Sequence, residues 1–511
     1  MYRRPREFLL DKRARGVSRM GGISPEVWLG SDKLRRSRGV SMREQNDIRA
    51  ESILSNSAAI WPNQNAVIDP HGAYTYSKLY SDAQSFAHTL ISKSALPGSI
   101  VGVESAKAAD FLVALFGSLY AGGVAIPVAP NLSEAEKSRL LAEASINWMA
   151  CSSKETAGSA LEIVGINPSS DSPILEVFPD AALMRHTSGT TAKSKGVVLS
   201  HSATLERARV SQELLGLSNK DVLLAPLSIS YHFIASALAC LRAGATLIDC
   251  ATLTAPEILN FGAACGATVV YASPNQYDLL VRSTTSGTIP SLLRAVSTSA
   301  LLRGDIAHKF FARFGTRLTQ VYGIIEVGLP IWNELESINP SALGICRPPY
   351  ECDVVDELGA PVALGDIGEL IIRGPGLFSG YFFGNNAGAP HLRNQWFYTG
   401  DLVTRDELGI IIYRGRKKSI INLRGNKIFP EEIEEVLKTA PEISAVRVLT
   451  EYDPSLGDFL VAEIVIGDQT KSNPDAWRRL CSRELSSYKV PVEFRVVEEL
   501  PTTGSGKIVR Y

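Results

Sequence analysis

The sequence predicts an α/β protein: parallel sheets covered by helices, then an antiparallel region, then a small α+β unit at the C-terminal end. Three observations lead there. From Ala50 onward, short β-branched or aliphatic runs alternate with stretches of helical apolar spacing. That alternation builds parallel sheets covered on both faces. Between about Gly344 and Tyr413 the texture changes, and turn signals in DELGAPV, RGPGLFSGY and RDELGIIIYRG separate short strands, the pattern of an antiparallel sheet or distorted barrel. Beyond Arg416, helix, strand pair and helix follow one another over about 95 residues, a plausible size for an independent unit.

Taken in chain order, residues 1–42 carry eleven Lys or Arg against four acidic residues, a net of +7 within a chain whose total is −1. The run Phe8-Leu9-Leu10 is too short for a signal-peptide core, and Glu7, Asp11, Glu26 and Asp32 weaken a transit-peptide reading. A disordered basic arm, or translation that begins at Met42, is preferred, with no stable fold before about Arg49. The strands are SIVGVES (99–105), VLLAPL (222–227), ATLIDC (245–250) and ATVVYAS (267–273); the helices between them include 135–144 and 202–217. Phe111 to Ala129 contains no charged residue and is long enough for a membrane span. Its interior reads better as a buried helix, ended by Gly122 and Gly123, followed by the short strand VAIPV. In the last part, PEEIEEVLKTA and DAWRRLCSRELS are helical, and AVRVLTEYD and DFLVAEIVI pair as strands. The expected division is a basic arm at 1–49, a large domain at 50–415 and a small mobile domain at 416–511, with RGRKKS (414–419) as the link.

Composition narrows the function. Apolar residues make up 45% and charged residues 21% of the 511, close to the globular average. Lys plus Arg (52) balance Asp plus Glu (53), so the basic excess of a nucleic-acid binder is missing. Seven cysteines without a CxxC pair read as reduced thiols of a cytoplasmic protein.

The segment most informative for chemistry is HTSGTTAKSKGVVLSH (186–201). Thr187, Ser188, Thr190 and Thr191 surround Gly189, and Lys193 and Lys195 follow. Hydroxyls, free backbone N–H groups and lysines are what a loop needs to hold a polyphosphate. The string fits neither a Walker A loop nor a dinucleotide fingerprint.

This segment resembles the phosphate-binding signature of the acyl-adenylate-forming superfamily, which includes acyl-CoA synthetases. Five further stretches resemble the family's motifs in the family's order: QVYGIIEVG (320–328), GELIIRGPGLFSGY (368–381), FYTGDL (397–402), YRGRKKSIINLRGNKIFPEEIEEV (413–436) and PTTGSGKIVR (501–510). The resemblance covers roughly residues 50–511. It implies a large N-terminal domain of two α/β sheet subdomains plus a distorted β-barrel, with a small C-terminal α+β domain. It also implies ATP, Mg²⁺ and CoA, or a pantetheinyl carrier, as cofactors and co-substrates.

Roles follow residue by residue from that resemblance. Thr187, Ser188, Gly189, Thr190, Thr191 and Lys195 would hold the β- and γ-phosphates. Glu326 would help hold Mg²⁺, a hard cation suited to carboxylate and phosphate oxygens. Tyr322 and Gly323 would lie along the adenine, Asp401 would accept the ribose hydroxyls, and Arg416 would support the same ribose. Lys507 would reach the carboxylate and the α-phosphate. Lys418 occupies the hinge about which the small domain turns, and Gly425 would let a pantetheine arm approach the backbone. Taken singly, each residue has a plainer reading: a turn or cap carboxylate for Asp401 and Glu326, a surface cover for Arg416, a tail lysine for Lys507, a turn glycine for Gly425. The ordered set of motifs favours the functional roles.

Four positions depart from the family's pattern. Ala192 replaces a glycine, at a cost of about 1 kcal/mol if that residue needs a positive φ. Ser194 replaces a proline. Ile325 replaces a threonine whose phosphate hydrogen bond is worth about 0.5–1.5 kcal/mol. STSALL (297–302) lacks a glycine pair. The substrate segment PLSISYHFIAS (226–236) has no acidic residue, and Ser230 stands near the position that holds an aspartate in amino-acid-activating relatives. A buried ammonium would be costly there, so an acid without an α-amino group is expected. Ile229, Tyr231, His232, Phe233 and Ser299 are candidates for the acyl pocket; His232 also reads as a packed or solvated histidine. The expected activity is ATP-dependent formation of an acyl-adenylate from a small-molecule carboxylic acid and transfer of the acyl group to a thiol, CoA first. A ligase loading an acyl carrier protein and a non-catalytic binding relative remain as alternatives. No nucleic-acid partner and no transmembrane segment are expected.

Overall fold

The structure, a computed structural model, describes residues 49–511 apart from 71, 131, 133, 153–160, 168–173, 187–195, 285–286, 335–340, 384–385, 389–391, 420, 424–425, 454–456, 468–471, 503–507 and 509–511. The expectations for the N-terminal arm, the phosphate loop, Gly425 and Lys507 lie outside the described residues.

Three of the four predicted runs, at 222–227, 245–250 and 267–273, form the centre of the larger sheet, and the fourth, at 99–105, lies in a second sheet. Leu318–Ile324, Arg294–Ser297, Val269–Ala272, Val222–Ala225, Thr246–Asp249 and Asn65–Asp69 lie side by side in that order, all parallel. Gly72–Thr75 closes one edge antiparallel. On the other side the sheet continues antiparallel through Gly328–Asn333, Ala342–Cys346, Ile411–Arg416, Trp396–Arg405, Gly368–Arg373 and Glu351–Val355. A second sheet runs Asn386–Gly388, Gly380–Phe383, Gly196–Ser200, Ala181–His186, Val124–Val128, Ile100–Glu104, Trp148–Ser152 and Leu161–Gly165. Its core strands are parallel and its ends antiparallel.

The α/β class with two sheets is thus present. The antiparallel region differs from the expected distorted barrel, because among the described residues it does not close. Closure requires the first and last strands of a sheet to pair. Here Gly380–Phe383 leaves the larger sheet altogether and pairs with Gly196–Ser200 of the second. The antiparallel strands therefore extend the parallel sheet and tie it to its neighbour.

The uncharged stretch resolves into helix Ala108–Tyr120 and strand Val124–Val128. Gly122 turns the chain between them at φ +79°, a conformation that favours glycine. Every residue from Phe111 to Leu119 is buried, and a helix apolar all round belongs in a core. The same continuous core holds side chains of both sheets, Val103 and Leu183 from one and Val269 and Val321 from the other. No helix among the described residues is long and apolar enough to cross a membrane. A separate core closes the C-terminal part, where helices Pro430–Leu437 and Pro474–Glu484 cover strands Ile443–Asp453, Gly457–Ile466 and Glu493–Val496. Trp477 lies at its centre, with its indole N–H donating to Glu442 at 2.7 Å.

One cysteine expectation is corrected. Cys346 and Cys352 are joined as a disulfide, while Cys151, Cys240, Cys250, Cys265 and Cys481 are free. Spacing gave no signal for this pair. Residues 347–350 turn the chain between strands Ala342–Cys346 and Glu351–Val355, bringing the two Cα atoms to 6.0 Å.

Candidate active site

Polar side chains gather at the carboxyl ends of the parallel strands, where open α/β sheets bind ligands. Strand Leu318–Ile324 delivers Tyr322 and then turns at residues 325–327 into Gly328–Asn333. Glu326 stands in that turn. Its Oε1 accepts from the Tyr381 hydroxyl at 3.0 Å, so a side chain carried by the second sheet orients a carboxylate carried by the first. Gly323 is required by packing alone: a Cβ there would lie 2.5 Å from the Gly328 carbonyl oxygen.

Asp401 faces Arg416 across the strand pair Trp396–Arg405 and Ile411–Arg416. The carboxylate is 1% exposed. Its Oδ2 accepts from the Tyr322 hydroxyl at 2.5 Å, and Arg416 Nε lies 2.7 Å from Oδ1. The ion pair is close, and beyond Arg416 no donor reaches Oδ1 among the described residues. A buried carboxylate oxygen with no further donor suits an incoming hydroxyl pair. Asp401 pushes the Arg416 guanidinium up. Burial, and then Asp401, hold the Tyr322 phenol well above its ordinary value, so it remains a neutral donor. The strand is fixed from behind: Glu369 accepts from the Gly400 N–H at 3.0 Å and from Lys417 Nζ at 2.9 Å.

A second group lies at the ends of the neighbouring strands. Residues Ile229–His232 form a short helix that passes into a π-helical turn at Ile234–Leu238, a distortion common at functional sites. His232 Nε2 lies 3.4 Å from Ser299 Oγ, and its ring meets Tyr271 edge-on at 6.2 Å. Ser299 holds φ +75°, so the left-handed backbone persists where the STSALL segment has no glycine. Ile229 and Ser230 are buried, and Ser230 Oγ makes no hydrogen bond among the described residues.

Of the expected site residues, Glu326, Tyr322, Gly323, Asp401 and Arg416 form one group, and Ile229, Tyr231, His232, Phe233 and Ser299 belong to the second. Lys418 is exposed in the single 3₁₀ turn Lys417–Ser419. Thr187, Ser188, Gly189, Thr190, Thr191 and Lys195 lie outside the described residues, but the stems of their loop pair directly, His186 with Gly196. Lys507 is also outside; Thr502 and Ile508 on either side of it pair with one another.

Two arginines were missed. Arg207, 3% exposed, sits in helix His201–Leu215 and donates to the Ile325 carbonyl at 2.7 Å and to the Gly376 carbonyl at 2.7 Å. It clamps the Glu326 turn to the crossing segment between the sheets. The available signal was its place on the same helical stripe as Thr204, Ala208, Ser211 and Leu215, all buried. Arg185, in strand Ala181–His186, donates to the Tyr231 carbonyl and stands 5.7 Å from the Phe233 ring centroid. A lone arginine ending the apolar run AALMRH was its signal.

The donor set fits nucleotide chemistry. Asp401 offers an unfilled buried acceptor, and Glu326 a single oriented carboxylate. Among the described residues no cluster of three metal-ligating side chains exists.

Strand-end polar groups of this kind define a ligand-binding α/β enzyme. The chain belongs to the AMP-binding enzyme family: the family model matches residues 54–382, and the model for the AMP-binding enzyme C-terminal domain matches residues 432–507. It is 29% identical over 489 residues to a feruloyl-CoA synthase of Amycolatopsis sp, covering 88% of this chain and 97% of the relative. It is 28% identical over 504 residues to the medium-chain fatty-acid–CoA ligase of Escherichia coli, covering 89% and 88%. The ATP-bound MatB of Rhodopseudomonas palustris has the same fold, with a TM-score of 0.78 at 22% identity, covering 90% of this chain and 97% of that one.

Proposed function

We propose that this protein is an acid–thiol ligase: it condenses a carboxylic acid with ATP to an acyl-adenylate, releases pyrophosphate, and passes the acyl group to CoA. Membership of the AMP-binding enzyme family and full-length similarity to CoA ligases support the class. The observation that carries the reading to this chain's own residues is Asp401, buried beneath Tyr322 and Arg416 with one acceptor unfilled.

In this reading the ribose hydroxyls donate to Asp401, and Arg416 pairs with that carboxylate. Tyr322 lies along the adenine. Glu326, oriented by Tyr381, offers its carboxylate to Mg²⁺, which would screen the phosphates from the attacking carboxylate. The loop from Thr187 to Lys195 takes the β- and γ-phosphates. Lys507 approaches the reacting carboxylate and the α-phosphate. For thiol transfer the small domain, residues 416–511, turns about Lys418 and brings Gly425 toward the pantetheine. A cytoplasmic location belongs to the same proposal.

Asp401→Asn removes the charge while keeping the shape. It is expected to raise the KM for ATP about 10- to 100-fold, the worth of one to two charge-assisted hydrogen bonds, while the KM for the acid changes little. An unchanged KM for ATP would place the ribose elsewhere. The acceptor is tested by giving the enzyme ATP and acid with either CoA or a phosphopantetheinylated carrier protein, and weighing the products. Acyl-CoA is expected; acylation of the carrier alone would assign the thiol step to a carrier protein.

A further inference from the structure

Arg185 reaches the acyl side of the site without a counter-charge. It leaves strand Ala181–His186 one residue before the stem of the phosphate loop. A guanidinium has five N–H donors. One of its nitrogens, Nη2, donates to the Tyr231 carbonyl, and the Phe233 ring flanks the group. No carboxylate lies within ion-pair distance of it among the described residues. The charged or titratable groups that act on it are Tyr271, Glu326 and Tyr231, and the Arg207 cation is coupled to it. Burial lowers its pKa to about 10, which still leaves it cationic at neutral pH. Tyr231 and Phe233 flank His232 in the chain, and the His232 ring meets Tyr271 edge-on while its Nε2 lies 3.4 Å from Ser299 Oγ.

A guanidinium with one carbonyl partner and, among the described residues, no carboxylate at ion-pair distance has donors open to an anionic ligand. Glu326 offers it only a distant charge. A planar guanidinium instead matches a carboxylate or a sulfonate through paired N–H bonds. We propose that Arg185 is a specificity-determining residue that receives a second anionic group on the acid substrate, so that the enzyme activates short acids bearing two anions in preference to methyl-terminated acids of the same length. The inference rests on the ligase reading, because it concerns the acid pocket of that reaction.

The test compares wild-type, Arg185→Met and Arg185→Lys proteins with two probes: a four-carbon α,ω-dicarboxylic acid and the monocarboxylic acid of equal chain length. Pyrophosphate release and thermal stabilisation by each acid, with ATP present and absent, are measured on the full chain. Wild type is expected to favour the diacid at least about 10-fold in kcat/KM. Arg185→Met is expected to lose about 10- to 100-fold with the diacid and little with the monoacid, and Arg185→Lys to recover part of the loss. An equal loss with both acids would overturn the proposal and make the reacting carboxylate the partner of Arg185. A rise confined to the KM for ATP would also overturn it, assigning the cation to a phosphate, as would a wild-type preference for the monoacid. If no acid releases pyrophosphate, the ligase reading fails; stabilisation of wild type by the diacid, absent in Arg185→Met, would still establish the anion site, and its absence from wild type would remove it. Arg185→Lys carries the comparison if the methionine variant does not fold.

Discussion

Lys507→Ala is expected to slow acyl-adenylate formation by about 10²- to 10³-fold, the loss of one preorganised charge contact to the transition state. The two reactants are both anions, a carboxylate and a triphosphate. Their approach needs positive charge at the point where the new acyl–phosphate bond forms, and an ammonium delivered there acts in that step. Thiol transfer starts from a mixed anhydride that has already lost its pyrophosphate, and in the proposed mechanism it uses the opposite orientation of the small domain. The variant is therefore expected to convert supplied acyl-adenylate and CoA to thioester at a rate near that of the parent. Both half-reactions are measured separately on one preparation. An equal fall in both would contradict the division of labour between two orientations.

Lys418→Pro is expected to block thioester formation while leaving pyrophosphate release largely intact. Lys418 is the middle residue of the turn Lys417–Ser419, between strand Ile411–Arg416 and the hairpin of Ile421–Leu423 with Asn426–Ile428. The residue before it is anchored, since Lys417 bonds Glu369 of the larger sheet, and Ser419 after it is buried. Exposed Lys418 is thus where rotation meets least resistance. Proline fixes φ near −65° and restricts the preceding residue, so one orientation is kept and the exchange is lost. A second contact between the two parts, Ser341 with Glu435, would have to break in the same motion. An unchanged melting temperature with selective loss of the thiol step supports the hinge. Parallel loss of both steps with a lowered melting temperature would instead make the turn a rigid support.

Much of this was legible because it is local. Strand Val269–Ala272 announces itself through VVYA, and helix Ala108–Tyr120 through an apolar run bounded by Gly122 and Gly123. Glu326, Tyr322, Asp401 and Arg416 could be named because they sit in short strings that resemble family motifs, and the structure joins Tyr322, Asp401 and Arg416 by a hydrogen bond and an ion pair. What stayed hidden depends on distant pairing. Arg207 acts on a carbonyl 118 residues away, and nothing near it in the chain reports that contact. The open antiparallel region turns on where Gly380–Phe383 finds its partner, and either sheet would have satisfied its backbone. Cys346 and Cys352 are joined through a turn whose path no spacing rule gives. Arg185 was visible as a charge in an apolar strand, but its meaning came only from Tyr231 and Phe233 beside it.

The central claim, that this chain activates carboxylic acids by adenylation before thiol transfer, is tested most directly by pyrophosphate release from ATP. Purified full-length protein is given a panel of aliphatic, aromatic and dicarboxylic acids, each with and without CoA. The account predicts pyrophosphate release that depends on the acid, proceeds slowly without CoA as adenylate accumulates, and turns over with CoA to give equal amounts of thioester and AMP. Nucleotide binding without pyrophosphate release from any acid, with or without CoA, would contradict it and make the protein a non-catalytic member of its family.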